Sequence, residues 1–459
     1  MLRRRTSGLL ALFLIWPGGA LVRAELLYFK NGGRIQAPAV VRDGVVRIES
    51  GVGDFSFLTA DFLKIVPGHA PEREWPSRRD LALKRGAEVR FLAAWWALEN
   101  GLVPEAVAMI RAAHVADAVH QPTARLVTLL DRLDRPCVER DVSDLSRATG
   151  VSLERATSPH VLLLHQLDPE QAAVRLDLLE RVFTTFYLML EAHGVELKIP
   201  SERLVSVALS EQSDYVRFLK SQHAGAFQTT QGYYHPTFRA VVTRQPRRDL
   251  PVRRNGEVSP DANHRDFERR RLLNDCQHRA LEDGTAAHEM VHMLVNESGL
   301  SPSTDRFPLW LHEGLAAQFE VVRSGRWVGV GRAHDLRLLD WRKSEGSVDL
   351  ESFLKDAGFG RGYDSLLYAR SWALVYYLRK VHPEKYHIFL DVLRNPASLV
   401  EERRQESIAA TFRSVFGADL GKMEKDWRRY IDGLKTPLEE ESPEKTSVTR
   451  ELRFLGSGN

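Results

Sequence analysis

The chain has 459 residues, longer than one ordinary domain, so two or three are predicted. Hydrophobic residues make up 43% and charged residues 27%, a globular rather than a disordered composition. With 64 basic against 61 acidic residues the formal net charge is only +3. That balance gives no argument for nucleic acid, whose recognition usually leaves a concentrated basic face.

The chain opens like an export signal. Arg3-Arg-Arg5 gives a positive start and residues 8–16 (GLLALFLIW) an apolar core. Pro17-Gly-Gly breaks it, and Val22-Arg-Ala24 is a small-x-small cleavage site before Glu25. Residues 1–24 therefore read as a secretory signal peptide. Its apolar core falls short of the roughly 18 residues that a membrane span needs, and no later run reaches that length. The expectation is an exported protein, periplasmic or secreted, with no stable membrane insertion once the signal is removed. Cys137 and Cys276 leave two options open, a disulfide or two separate thiols.

Residues 25–75 predict a small β unit. Leu26-Leu-Tyr-Phe29 precedes the turn signal Lys30-Asn-Gly-Gly33. Residues 37–41 and 45–48 flank the turn Arg42-Asp-Gly44, and Pro38 predicts an edge position for its strand. Residues 76–149 turn helical and then run into a linker. Residues 95–118 (WWALENGLVPEAVAMIRAAHVADA) look like a helix–turn–helix repeat of the tetratricopeptide kind, with a stop at Glu99-Asn-Gly101 and Pro104 in the next first turn. A single such pair cannot bury its own face. It is expected to pack on the rest of the protein, with a groove for a protein partner as the alternative.

Residues 150–435 predict one α+β domain. Strands are expected at 160–165 and 204–209, helices at 169–192 and 214–221, and a strand pair at 232–243. An exposed arginine-rich loop at 244–266 follows, and then mostly helix from 272 to 434. Residues 436–459 read as a disordered polar tail.

The chemistry concentrates in His288-Glu289-Met290-Val291-His292. On a helix, positions i and i+4 share a face, so both imidazoles reach one ion while Glu289 stands beside it as a base. Among 16 histidines the pattern arises by chance in roughly a few per cent of such chains, so a third ligand decides. Residues 308–320 (PLWLHEGLAAQFE) supply Glu313, which a helix, a loop and a second helix can bring to the pair. Two histidines and a carboxylate leave the fourth zinc position open. Glu320, two turns beyond Glu313 on one helical face, is placed to hydrogen-bond a ligand histidine from behind.

His-Glu-x-x-His followed by Trp-Leu-x-Glu-Gly-x-Ala resembles the gluzincin metallopeptidases, especially the peptidase-MA-like domains of bacterial secreted proteins. The resemblance covers residues 150–435 and implies a zincin-like catalytic domain, a Zn2+ ion, and hydrolysis of a peptide or protein substrate with Glu289 as base. Related zinc aminopeptidases place an oxyanion-stabilising tyrosine before a motif that Tyr368-Ala-Arg-Ser-Trp-Ala-Leu374 resembles, which implies that role for Tyr368. Their amine-holding Gly-x-Met-Glu-Asn strand is missing, and Gly232-Tyr-Tyr-His235 stands in the comparable region. The reading is thus an exported zinc endopeptidase that pairs an extended peptide with an edge strand. The rivals are an aminopeptidase and a non-catalytic zinc scaffold that binds peptides or envelope partners. An intact Glu289 argues against the scaffold.

Overall fold

The computed structural model describes residues 23–50, 53–67, 71–244, 258–301, 307–323, 326–344, 348–359, 364–395 and 403–436. The signal segment falls outside the described residues except for its last two, and so do most of the 244–266 loop and all but the first residue of the polar tail. The chain is mixed α+β, with its sheets in the N-terminal part and a helical C-terminal part. Among the described residues no helix is long and apolar enough to cross a membrane.

The first sheet contains β1 (Arg23–Phe29), β2 (Arg34–Arg42), β3 (Val45–Ser50), β4 (Gly53–Leu58) and β5 (Phe62–Pro67). All pairs are antiparallel, in the order β4-β3-β2-β1-β5. The β2–β3 hairpin turns on Asp43 and Gly44, both at positive φ (50° and 76°), the handedness a tight two-residue turn requires. Pro38 does not mark an edge strand, because β2 lies in the middle of the sheet. The β3 ladder begins only at Ala39, so at Pro38 the strand is paired on the β1 side alone and loses no second ladder bond.

A helical layer follows: α1 (Pro71–Leu83), α2 (Ala87–Glu99), α3 (Val103–Ala116), α4 (Gln121–Leu133) and α5 (Ser143–Thr149). The α2–α3 pair packs on the rest of the protein, as its unburied face demands. Gly101 turns the chain at φ 76°, and a Cβ there would stand 2.6 Å from the Trp327 carbonyl. The Glu99 carbonyl accepts from the Gly331 amide at 2.9 Å, and its carboxylate meets Lys380 at 2.5 Å.

The second sheet has the order β6-β7-β8-β10-β9, built from β6 (Glu154–Thr157), β7 (Val161–His165), β8 (Leu204–Leu209), β9 (Gly232–His235) and β10 (Ala240–Arg244). The central β7, β8 and β10 run parallel, and the outer β6 and β9 run antiparallel to them. Every residue of β7 and β8 is buried, which is why these strands read as unbroken apolar runs. Two helices lie between strands: α6 (Pro169–Glu191), capped by Asp168 on the Gln171 amide, and α7 (Gln212–Ser221).

The remainder is α8 (Ala262–Glu297), α9 (Leu309–Ala316), the ribbon β11 (Val322–Arg323) and β12 (Arg326–Trp327), α10 (Asp335–Lys343), α11 (Leu350–Leu354), α12 (Ser365–Val381), α13 (Pro383–Arg394), α14 (Arg404–Phe416) and α15 (Leu420–Asp432). Trp310, Trp372 and Trp427 are fully buried in its core. Helix α8 begins ten residues before the expected 272 and runs for 36 residues, about 54 Å at ~1.5 Å per residue. Its first half belongs to the N-terminal sheet. There Leu272 is 0% exposed inside that sheet's core, a burial that contributes about 1.5–3 kcal/mol, and Arg265 pairs with Asp61 at 2.9 Å. Cys276 lies in the same half, and Cys137 is buried with its thiol 3.0 Å from the Pro200 carbonyl. The two do not form a disulfide.

Candidate metal centre

His288, Glu289 and His292 lie in the second half of α8, where Ala286, Ala287, Met290, Val291 and Met293 face the core. Glu313 comes from α9, which the buried Trp310 and Leu311 anchor. Trp310 is fully buried, and its indole N–H donates to the Leu354 carbonyl. Gly314, next to Glu313, lets α9 press on α12, since a Cβ there would fall 2.4 Å from the Ser371 carbonyl.

These elements bring three ligand atoms together. His288 Nε2 and His292 Nε2 are 2.9 Å apart, and Glu313 Oε2 is 3.1 Å from the first and 3.6 Å from the second. One donor atom from each residue lies within 4.8 Å of the others, so the group could hold a metal ion. The donor set, two imidazoles and a carboxylate, suits zinc chemistry.

Glu320 does not sit where the sequence reading put it. Helix α9 ends at Ala316, with Ala317 as its cap, so Glu320 lies beyond the helix rather than two turns along it. The turn is held by Gln318, whose amide donates to the Gly314 and Trp372 carbonyls. Glu320 still reaches His288: its Oε1 is 2.6 Å from His288 Nδ1. Gly284 makes room for this approach, because a Cβ there would be 2.7 Å from the Glu320 carbonyl oxygen.

Three further residues complete the surroundings. His334 Nε2 donates to Glu320 at 2.7 Å, while its Nδ1 accepts the Arg337 amide and so caps α10. The Arg337 guanidinium holds Glu320 through two contacts, 3.1 and 2.9 Å, and lies 5.3 Å from the ring centre of Tyr368. His312 stacks on His292, with the two Nδ1 atoms 2.7 Å apart. None of the three was singled out from the sequence. His312 stands immediately before Glu313, outside the His-Glu-x-x-His pair, and His334 and Arg337 arrive from a separate helix and its cap. Tyr368, half-buried in the first turn of α12, joins the cluster through Arg337.

The charges are strongly coupled. Burial pulls His288 down, but the Glu320 and Glu313 carboxylates overcome it and hold the ring well above its ordinary range. Burial pushes Glu320 up, yet Arg337 and His288 keep it ionised far below the usual carboxylate value. His292 and His288 do the same for Glu313. Glu289 is the exception. Burial raises its carboxyl, and His292, His288 and the Tyr234 backbone amide offset that only in part. A carboxylate with a raised pKa among ionised ones is suited to accept and return a proton near neutral pH.

Glu289 also touches the edge strand of the second sheet. A Cβ on Gly232 of β9 would lie 2.9 Å from Glu289 Cγ, so the strand and this side chain pack in direct contact.

Residues 283–398, from the middle of α8 to just past α13, match the family model described as "Protein of unknown function (DUF1570)". The match takes in the three converging ligands, Glu289, His312, Glu320 and Tyr368. No curated protein matches the chain.

Proposed function

We propose that the protein is an exported zinc-dependent peptidase of the gluzincin type, with His288, His292 and Glu313 holding the ion and Glu289 acting as general base. The observation that carries this reading is the meeting of three ligand atoms within 4.8 Å beside the half-buried Glu289 carboxyl, whose pKa is raised by desolvation. Zinc, when bound, supplies Lewis acidity toward a scissile carbonyl and makes water a nucleophile near neutral pH. Glu289 takes the proton of the attacking water and returns it to the leaving amine. Tyr368 donates a hydrogen bond where negative charge develops on the carbonyl oxygen. Strand β9, at the sheet edge and against Glu289, supports pairing with an extended peptide, hence cleavage inside a chain rather than at its amino end.

The test combines metal analysis with a peptide-library digest of purified mature protein. About one zinc per chain is expected, lost in His288→Ala and Glu313→Ala. Glu289→Gln keeps the three ligands, so zinc stays and hydrolysis falls to near background. Full zinc in both ligand variants would overturn the site. Zinc binding without cleavage of any library member would favour a non-catalytic scaffold.

A further inference from the structure

We infer that His312 is the positioning residue for His292, and that the metal site is backed unequally, by a carboxylate behind one histidine and a neutral imidazole behind the other. This rests on the metal reading given above. Both ligand rings turn Nε2 toward the shared point, so both present Nδ1 outward. Behind His288 stands Glu320, at 2.6 Å. Behind His292 stands His312, Nδ1 to Nδ1 at 2.7 Å.

Two ring nitrogens at that distance share one hydrogen. A histidine that gives its Nε2 lone pair to a metal carries its proton on Nδ1, so His292 donates and His312 Nδ1 accepts. The His312 proton then resides on its own Nε2, which is buried and has no partner among the described residues. Each ring fixes the tautomer of the other. A neutral imidazole withdraws a proton less strongly than a carboxylate, so His292 is the weaker electron donor of the two ligands. Replacing the acceptor at residue 312 therefore tunes metal affinity through His292 alone.

Asn and Leu have nearly the same shape, and Asn Oδ1 falls about where His Nδ1 does. The pair therefore separates acceptor from packing. The probe is zinc itself, measured by chelator competition on the full chain at fixed pH, beside a thermal melt of each variant. His312→Leu is expected to bind zinc about 10- to 100-fold more weakly than wild type, a range common for lost partners of metal-bound histidines. His312→Asn should recover most of that loss, and His312→Asp should bind more tightly than His312→Asn. If the Leu variant fails to melt cooperatively, His312→Phe, which keeps the ring volume, takes its place. Equal weakening in the Asn and acceptor-free variants, or no weakening in either, overturns the proposal while leaving the metal site intact. A wild-type chain that binds no zinc overturns the metal reading, and this inference with it.

Discussion

Gly232 and Glu289 meet across a gap that admits no side chain: a Cβ on Gly232 would stand 2.9 Å from Glu289 Cγ and 2.7 Å from Thr285 Cγ2. Its neighbour on β9, Tyr234, turns its amide toward the same carboxylate. The edge strand thus sets the position of the proposed base. Gly232→Ala must shift β9 or Glu289 by several tenths of an ångström, while the three ligands lie elsewhere on α8 and α9. Zinc binding should stay at the wild-type level, and kcat/KM should fall by up to about 100-fold, the loss that a misplacement of ~1 Å brings. Unchanged cleavage would mean that the strand does not position the base.

Glu320 anchors three cationic or donor groups, His288, His334 and Arg337, in a largely buried place. Glu320→Gln keeps the shape and removes the charge with which the Arg337 guanidinium, 13% exposed, is paired. Breaking one partner of a buried pair costs about 3–5 kcal/mol, so urea unfolding should show a loss of that order. Zinc affinity should fall about 10- to 100-fold in parallel. A variant with wild-type stability and affinity would show that Glu320 does neither task.

Acid sensitivity should trace to His387. Burial pushes its ring down to about 3 and His193, stacked at 3.9 Å, adds to the shift. The folded value lies below the ordinary 6.5, so between those limits the unfolded chain binds more protons. Stability is therefore full above pH 6.5 and declines as pH falls toward 3. The loss is up to about 1.4 kcal/mol for each pH unit per histidine. Urea midpoints at pH 7, 6 and 5 should drop less steeply in His387→Phe than in wild type, and parallel lines would refute the assignment.

Tyr368→Phe separates catalysis from metal binding. The ring keeps its place under Arg337, so zinc content should not change. Loss of one oxyanion donor lowers turnover about 100- to 1000-fold. Wild-type turnover would reduce Tyr368 to a packing residue.

Local signals carried well from sequence to structure. The His288–His292 spacing is a property of a single helix, and the strands at 161–165 and 204–209 are short apolar runs bounded by turns. Glu313 was legible because its neighbours Trp310, Leu311 and Gly314 form a recognisable packing set. What escaped depends on distance through the chain. His334 and Arg337 reach Glu320 from α10, and no periodicity within α10 announces that contact. Glu320 was assigned the right neighbour on the wrong geometry, because the end of α9 at Ala316 depends on the turn at Gln318 and its bond to Trp372 in α12. Strand β6 (ERAT) was missed because none of its residues is buried; only its ladder with β7 defines it.

Helix α8 is a beam with a fixing at each end. One end is clamped by Asp61, Gly32 and the apolar floor of the first sheet, the other carries both histidines. The same helix thus joins the first sheet to the two imidazoles. A truncated chain starting at residue 150 would keep every residue of the site and still strip the cover from Leu272 and Leu273. The packing that holds α8 thus reaches back to β1, well beyond the matched stretch at 283–398.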